Sequence, residues 1–353
     1  MTHQRFNTVI LGTFFAMVFL LTLMNLTVDP YGVFGTSTLP DGPSANERFL
    51  KIEHVTKRDK DYELLLFGSS RSGMTSPAWL EEASGLSAYN VSVFSGRPRD
   101  METLYRAYRQ ARAAPLRVIV GLDAMAFLWE VDETDLSRRH HPSVSSSSFI
   151  TYWMDYLLAP SFLPAIERVA ERRLPSIAFN WEAGTYSLDG YDRQIAENHD
   201  AYMLKKFGGW TPRQLSSELD DREWHAFQRW MRTLEDDGVA VTVFLQPMHR
   251  QWRERMEPLM GDLRPLLNSI DGLVDLSGIG SENDADWYEQ RHYRSSIARL
   301  VVKSLFDQSA TPEERDVVAN VPGGFYRPQV SDPASGQPSD QPHLDEIPSP
   351  SMR

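Results

Sequence analysis

Polarity divides the first thirty residues sharply. Residues 8–28 (TVILGTFFAMVFLLTLMNLTV) carry no charge and are apolar on every side of a helix. About twenty such residues suffice to cross the roughly 30 Å hydrocarbon core of a bilayer. A buried core helix rarely stays apolar all round for this length, so the run reads as a membrane span. It exceeds a usual signal-peptide core, and the VDPYGVF that follows offers no small-residue cleavage site, so the span is expected to stay attached. Arg5 precedes it and Asp29 is the first charge after it, which puts residues 1–7 in the cytoplasm and the rest outside.

Beyond the span the pattern changes to short aliphatic runs that alternate with helical periodicity. Strands are expected at 62–67, 88–93, 116–122 and 239–245, with a weaker one at 272–276. Helices are expected at 77–83, 100–113, 251–268 and 294–306. Strands alternating with helices predict an α/β domain with a parallel sheet covered on both faces, whose ligands sit at the carboxyl ends of the strands. Residues 130–237 interrupt the rhythm as a helical insertion or lid, with helices expected at 149–158, 162–172 and 213–235. The turn-rich stretch 35–46 suits a tether, so 29–48 reads as a connector and 49–309 as the folded domain. Residues 310–353 mix Ser, Gln, Asp and Pro with few large apolar residues, the composition of a disordered tail.

Composition narrows the partners. The 353-residue chain carries 48 acidic and 36 basic residues, a formal net charge of −12. That balance argues against nucleic acid, whose phosphates demand a basic face. The absence of cysteine removes thiol nucleophiles, disulfides and Cys-type zinc sites, and suits a domain outside the cytoplasm. His140-His141 has no third ligand at metal spacing, and the chain contains neither a phosphate loop nor a dinucleotide fingerprint, so no metal or cofactor is expected. Trp129, Tyr152, Trp153, Tyr156, Trp181, Tyr186, Trp210, Trp224 and Trp230 read as core or lid packing, with a minority role stacking on sugars open.

Two segments carry candidate chemistry. The first strand runs into Gly68-Ser69-Ser70-Arg71, which holds hydroxyls at the carboxyl edge of the sheet. The same residues also suit a plain turn or a helix cap. Far downstream, Glu289-Gln290-Arg291-His292 supplies a carboxylate three residues before a histidine. A serine hydroxyl needs such a pair, because its own pKa is too high for attack at neutral pH. Asp286 is the rival carboxylate. His249, after the fourth strand, reads either as a cleft residue touching substrate or as an exposed residue beginning a helix. Arg71 reads either as an anion or sugar ligand or as a partner of Asp123.

With these blocks the chain resembles the SGNH (GDSL-like) hydrolase superfamily, in particular its membrane-anchored extracytoplasmic branch, which includes the alginate O-acetylation proteins and the D-alanyl transfer protein of teichoic acids. The resemblance covers residues 60–123 and 239–306, together with the VDPYG after the span. It implies a three-layer, flavodoxin-like α/β sheet with Ser70 as nucleophile, His292 as base and Glu289 as orienting acid. It also implies an oxyanion hole that includes Gly96. At the position of the family's third-block asparagine stands Asp123, which cannot donate when ionised. Loss of one such donor costs about 2.7–4 kcal/mol.

The function implied is an O-acetyltransferase or esterase acting on a cell-surface polysaccharide, without a cofactor. Outside the cytoplasm a transferase would draw its acyl group from a membrane-bound acyl-exporting or polysaccharide-synthesis partner. Asp123 supports a different class of function: a catalytically degraded binding or scaffold subunit of an envelope polysaccharide complex.

Overall fold

Aliphatic side chains alternating above and below a parallel sheet organise the domain. In the computed structural model, which describes residues 3–39, 43, 45–128, 138–160, 162, 177–207 and 218–306, five strands lie side by side. They are β1 (Leu64–Gly68), β2 (Ala88–Asn90), β3 (Arg117–Leu122), β6 (Ala240–Leu245) and β7 (Val274–Asp275), in the order β2-β1-β3-β6-β7 and all parallel. Counted among themselves these strands run 2-1-3-4-5, the flavodoxin-like doubly wound order, in which the direction of winding reverses between β1 and β3.

The pleat sends successive side chains to opposite faces. Leu65, Phe67, Val118, Val120, Val243 and Leu245 face one layer, built from α2 (Glu47–Lys57), α4 (Pro98–Ala111) and α8 (Asp221–Asp236). Leu64, Leu66, Ile119 and Phe244 face the other, built from α3 (Pro77–Ser84) and α11 (Ser295–Phe306). Near-continuous apolar strands are what burial on both faces demands.

Several expectations change. The helix expected at 251–268 is broken into α9 (Arg250–Met256), a 3-10 turn at Glu257–Leu259 and α10 (Leu263–Asn268). Pro258 and Pro265 lack the N–H a continuous helix would require, and Gly261 weakens the join. Helix α2 escaped the periodicity because its buried face is charged. Arg48 forms a bidentate pair with Asp100 (2.7 and 2.8 Å), Glu47 accepts the Phe94 N–H (3.1 Å), and the Lys51 ammonium donates to the carbonyls of Asn90 (3.0 Å), Gly184 (2.6 Å) and Ser92.

The insertion contributes α5 (Phe149–Leu158), a hairpin of β4 (Ala178–Asn180) and β5 (Thr185–Ser187), then α6 (Asp189–Glu197) and α7 (His199–Phe207). The expected helix at 162–172, most of the first part of that at 213–235, Trp129, Trp210 and the tail 310–353 lie outside the described residues.

One helix, α1 (His3–Val28), is long and apolar enough to cross a membrane. Residues 29–36 behind it are packed against the domain rather than loose. Asp29, buried and in the left-handed region (φ 43°), caps α1 through its N–H to the Asn25 carbonyl (2.9 Å). Its carboxylate accepts the N–H groups of Phe34 (3.1 Å) and Thr36 (2.9 Å) and the Tyr156 hydroxyl (3.0 Å). Tyr31, Val33 and Phe34 then pack on Phe49, Tyr152 and Tyr156.

At the carboxyl edge, Gly68 of β1 and Gly121 of β3 pair beneath Ser72 and Gln246, which leave no room for a side chain at either position. A Cβ on Gly121 would lie 2.2 Å from Ser72 Oγ and 2.3 Å from Gln246 Nε2. Gly121→Ala is therefore expected to cost about 1–3 kcal/mol through overpacking, measured as a fall of several degrees in melting temperature. An unchanged transition would show that the close approach does not constrain the fold.

Candidate active site

Ser70 lies in the turn leaving β1, where Gly68 brings the chain close against Gly121. A Cβ on Gly68 would meet Ser72 Oγ at 2.4 Å. The buried Asn90 braces this turn from β2, donating from Nδ2 to the carbonyls of Ser72 (2.7 Å) and Thr75 (2.9 Å). Opposite stands a short hairpin of β8 (Trp287–Glu289) and β9 (His292–Tyr293), in which an irregular register sets Glu289 across from His292.

Buried hydrogen bonds join hairpin to turn. The Tyr293 hydroxyl donates to Gln246 Oε1 (2.9 Å), and Gln246 Nε2 donates to the Gly121 carbonyl (3.2 Å) and to Ser72 Oγ. The Trp287 indole N–H donates to the Gly280 carbonyl (2.8 Å).

This framework brings Ser70, His292 and Glu289 together. Ser70 Oγ lies 2.8 Å from His292 Nε2, and His292 Nδ1 bonds Glu289 Oε1. Glu289 Oε2 accepts the Arg291 N–H at 3.0 Å, with the Arg291 guanidinium 3.7 Å away. Burial pushes the Glu289 carboxyl up, but His292 and Arg291 outweigh it and hold the group at about 2. Asp286 sits elsewhere, accepting from Ser296 Oγ (2.7 Å) and Asn283 Nδ2 (2.6 Å). The geometry can therefore do general-base chemistry on the Ser70 hydroxyl, which needs heavy-atom contact of about 3 Å.

The residues expected around this centre divide. Arg71 and Asp123 are both nearly buried and lie together, Arg71 Nε 3.6 Å from Asp123 Oδ2, which also accepts from Ser69 Oγ (3.3 Å). The other carboxylate oxygen accepts the Met125 N–H (3.1 Å). Asp123 thus caps the turn after β3 and faces a guanidinium, the second of the two readings open for Arg71.

Gly96 lines the cleft, but its N–H, the donor the oxyanion role would use, is engaged by the Val93 carbonyl (2.9 Å). Its lack of a side chain serves close packing, since a Cβ would lie 2.4 Å from the Gly68 carbonyl oxygen. Among the described residues none accepts the Ser70 N–H.

His249 is neither a cleft residue nor exposed. It is fully buried, caps α9 through Nδ1 to the Gln251 N–H (3.3 Å), and bonds Asp284 Oδ1 through Nε2 (2.7 Å). A capping histidine satisfies the helix N–H groups from inside the core, and that role turns its ring away from the cleft.

The cleft over Ser70 encloses about 940 Å³. Phe94, Tyr186, Leu188 and Tyr191 line one wall, and the Tyr186 hydroxyl donates to the Ser70 carbonyl. Around it stand Arg71, Arg97, Arg138, Lys205, Lys206 and Arg291 against two carboxylates, Asp123 and Glu289, an inversion of the chain's net acidity. Arg97 is paired with Asp220 (2.9 Å) and Glu223 (3.3 Å), whereas Lys205 and Lys206 form no ion pair with a carboxylate among the described residues. The insertion also grips the β8–β9 hairpin: the Tyr202 hydroxyl donates to the Tyr288 carbonyl (2.7 Å), and Tyr288 donates to Asp192 (2.7 Å).

Sequence reasoning had not singled out Gln246, Tyr293, Asn90 or the lysine pair. Gln246 directly follows an expected strand, at the edge where ligands bind, and that position was the available signal. Tyr186 had no comparable signal among so many aromatic residues. Compared with known proteins, the chain matches no family model and has no significant match among curated proteins.

The Glu289 shift has a direction that can be measured. A carboxyl lowered from 4.5 to about 2 on folding contributes stability that is fully present above pH about 4.5 and lost as pH falls toward 2. Glu289→Gln should therefore melt below the parent near neutrality, with the gap closing as the pH is lowered toward 3. A gap independent of pH would show that the carboxylate charge does not stabilise the hairpin.

Proposed function

We propose that this chain is a membrane-anchored, extracytoplasmic acyl-ester enzyme of the SGNH type, acting on a cell-surface polysaccharide as an O-acetyltransferase or esterase. The single observation that carries the reading is the chain of contacts from Ser70 Oγ to His292 Nε2 (2.8 Å) and from His292 Nδ1 to Glu289. The 2-1-3-4-5 sheet, with Ser70 at the carboxyl end of β1 beside the reversal of winding, supports it. The apolar α1 supports an anchor with the domain outside.

Ser70 Oγ attacks the acyl carbon of an ester donor while its proton passes to His292 Nε2. The tetrahedral oxyanion collapses, the alkoxide leaves, and that proton goes to the leaving oxygen. Water or a sugar hydroxyl then gives its proton to His292 and attacks the acyl-serine; the second tetrahedral intermediate collapses, the acyl product leaves, and His292 returns the proton to Ser70 Oγ. Glu289 holds the ring and offsets the imidazolium that forms in each half-reaction. The Ser70 N–H is available to the oxyanion; the Gly96 N–H joins it only on release from the Val93 carbonyl. A donor outside the cytoplasm would come from a membrane-bound acyl-exporting or polysaccharide-synthesis partner.

The test uses the full chain in detergent or nanodiscs, treated with a fluorophosphonate probe and with an aryl acetate. Labelling at Ser70 and ester turnover are expected, with Ser70→Ala lowering turnover by about 10⁴-fold or more. A chain that neither labels at Ser70 nor turns over the ester overturns the enzyme reading. It would favour a catalytically degraded binding or scaffold subunit of an envelope polysaccharide complex, the reading that Asp123 and the engaged Gly96 N–H support.

The cationic cleft favours an anionic glycan. Replacing Lys205 and Lys206 together by Ala should raise KM for an anionic acceptor and leave aryl acetate hydrolysis little changed. An equal effect on both substrates would remove charge recognition from the reading.

A further inference from the structure

Helix α5 has three faces. Tyr152 and Tyr156 point into the domain against Val33 and Phe49, and Asp155 pairs with Arg139 (2.5 Å). The remaining arc presents Phe149, Ile150, Trp153, Met154 and Leu158, between 39% and 70% exposed. A soluble domain rarely gathers five large apolar side chains on one exposed helix face.

What covers this face follows from how α5 is fastened. Asn25, fully buried in the last turn of α1, donates from Nδ2 to the carbonyls of Tyr156 (3.1 Å), Leu157 (2.9 Å) and Ala159 (2.6 Å). These are the carbonyls a helix end leaves unsatisfied, so α1 caps α5. Asp29 and Tyr156 make a second tie. Asn25 stands three residues before the end of the apolar run 8–28, about 4.5 Å along the axis at 1.5 Å per residue. The end of α5 is therefore level with the last turn of the apolar helix, and its exposed arc continues the apolar surface of α1, where Leu23 and Leu26 are themselves exposed.

We infer that α5 lies in the headgroup–acyl boundary of the bilayer that α1 crosses, so that the domain is seated on the membrane at two points rather than suspended from one. A short helix with Trp and Phe on its apolar arc and a charged pair on the other suits that boundary. The inference goes beyond ester chemistry and rests only on α1 as the span.

The chain has no cysteine, so one introduced thiol is unique. Ile150→Cys, Met154→Cys, Phe15→Cys in α1 and Glu82→Cys on α3 in the opposite layer are each labelled with an environment-sensitive fluorophore. The full chain is reconstituted into phosphatidylcholine vesicles carrying nitroxide-labelled lipid, with iodide as the aqueous quencher. Positions 150 and 154 should emit to the blue of position 82, lose at least about half their emission to shallow nitroxide lipid and resist iodide. Position 15 should respond to deep nitroxide lipid, and position 82 to iodide alone. If 150 and 154 are open to iodide, or are shielded from both quenchers as under a protein partner, while 15 still reports lipid, the seat on the membrane is overturned and the span stands. If 15 also reads water, the span itself fails and the inference falls with it.

Discussion

The site depends on the space left where Gly68 and Gly121 pair across the carboxyl ends of β1 and β3. Glycine at 68 and at 121 leaves a gap that Ser72 Oγ and the Gln246 amide fill. That buried amide is spoken for at both ends, since its oxygen accepts from Tyr293. A fully satisfied polar network in a low-dielectric interior fixes one arrangement strongly, because any partner lost leaves a costly orphan. Here it fixes the turn bearing Ser70 against the hairpin bearing His292 and Glu289, two segments more than two hundred residues apart in sequence. The Ser70–His292 contact is a product of this packing.

Much of this could be read from the sequence, for stated physical reasons. The β1 and β3 strands announced themselves as aliphatic runs because both faces are buried, and β6 did so through its buried second half, Val243 to Leu245. The meeting of Ser70 and His292 was legible because a serine at a strand end and a carboxylate–histidine pair each have short local signatures. What escaped was of a different kind. Helix α2 buries Glu47, Arg48 and Lys51, so a search for apolar periodicity passes over it. The β8–β9 hairpin is held by Tyr293 and Trp287 reaching across the chain, which no local pattern encodes. His249 was misplaced because a residue after a strand can turn either into the cleft or back under the next helix, and its bond to Asp284 takes it under. Gly96 was correctly placed at the cleft, yet the direction of an N–H is a backbone detail that sequence does not reveal.

The insertion does two separate jobs. One end, through α5, meets the apolar helix and the packed connector. The other, through Tyr186, Tyr202 and Lys206, meets the Ser70 turn, the β8–β9 hairpin and the cleft. It also supplies three of the six cationic side chains of a cleft set in an acidic protein, Arg138, Lys205 and Lys206. Such focused charge concentrates an anionic ligand near the site while the rest of the surface repels it, an effect that weakens as salt shortens the Debye length.

The packed connector changes how far the serine can travel. A loose linker of a dozen residues would let the domain wander over roughly 20 Å, and its cleft would sweep a broad hemisphere at every bearing. With Asp29 and Asn25 committed to the domain, that slack is gone. The cleft keeps one height and one compass heading relative to α1, so its encounters become those of a rotor confined to a plane. Under the proposed function, a polymer acceptor must be presented at that height, and chain segments further out are beyond its reach however abundant they are.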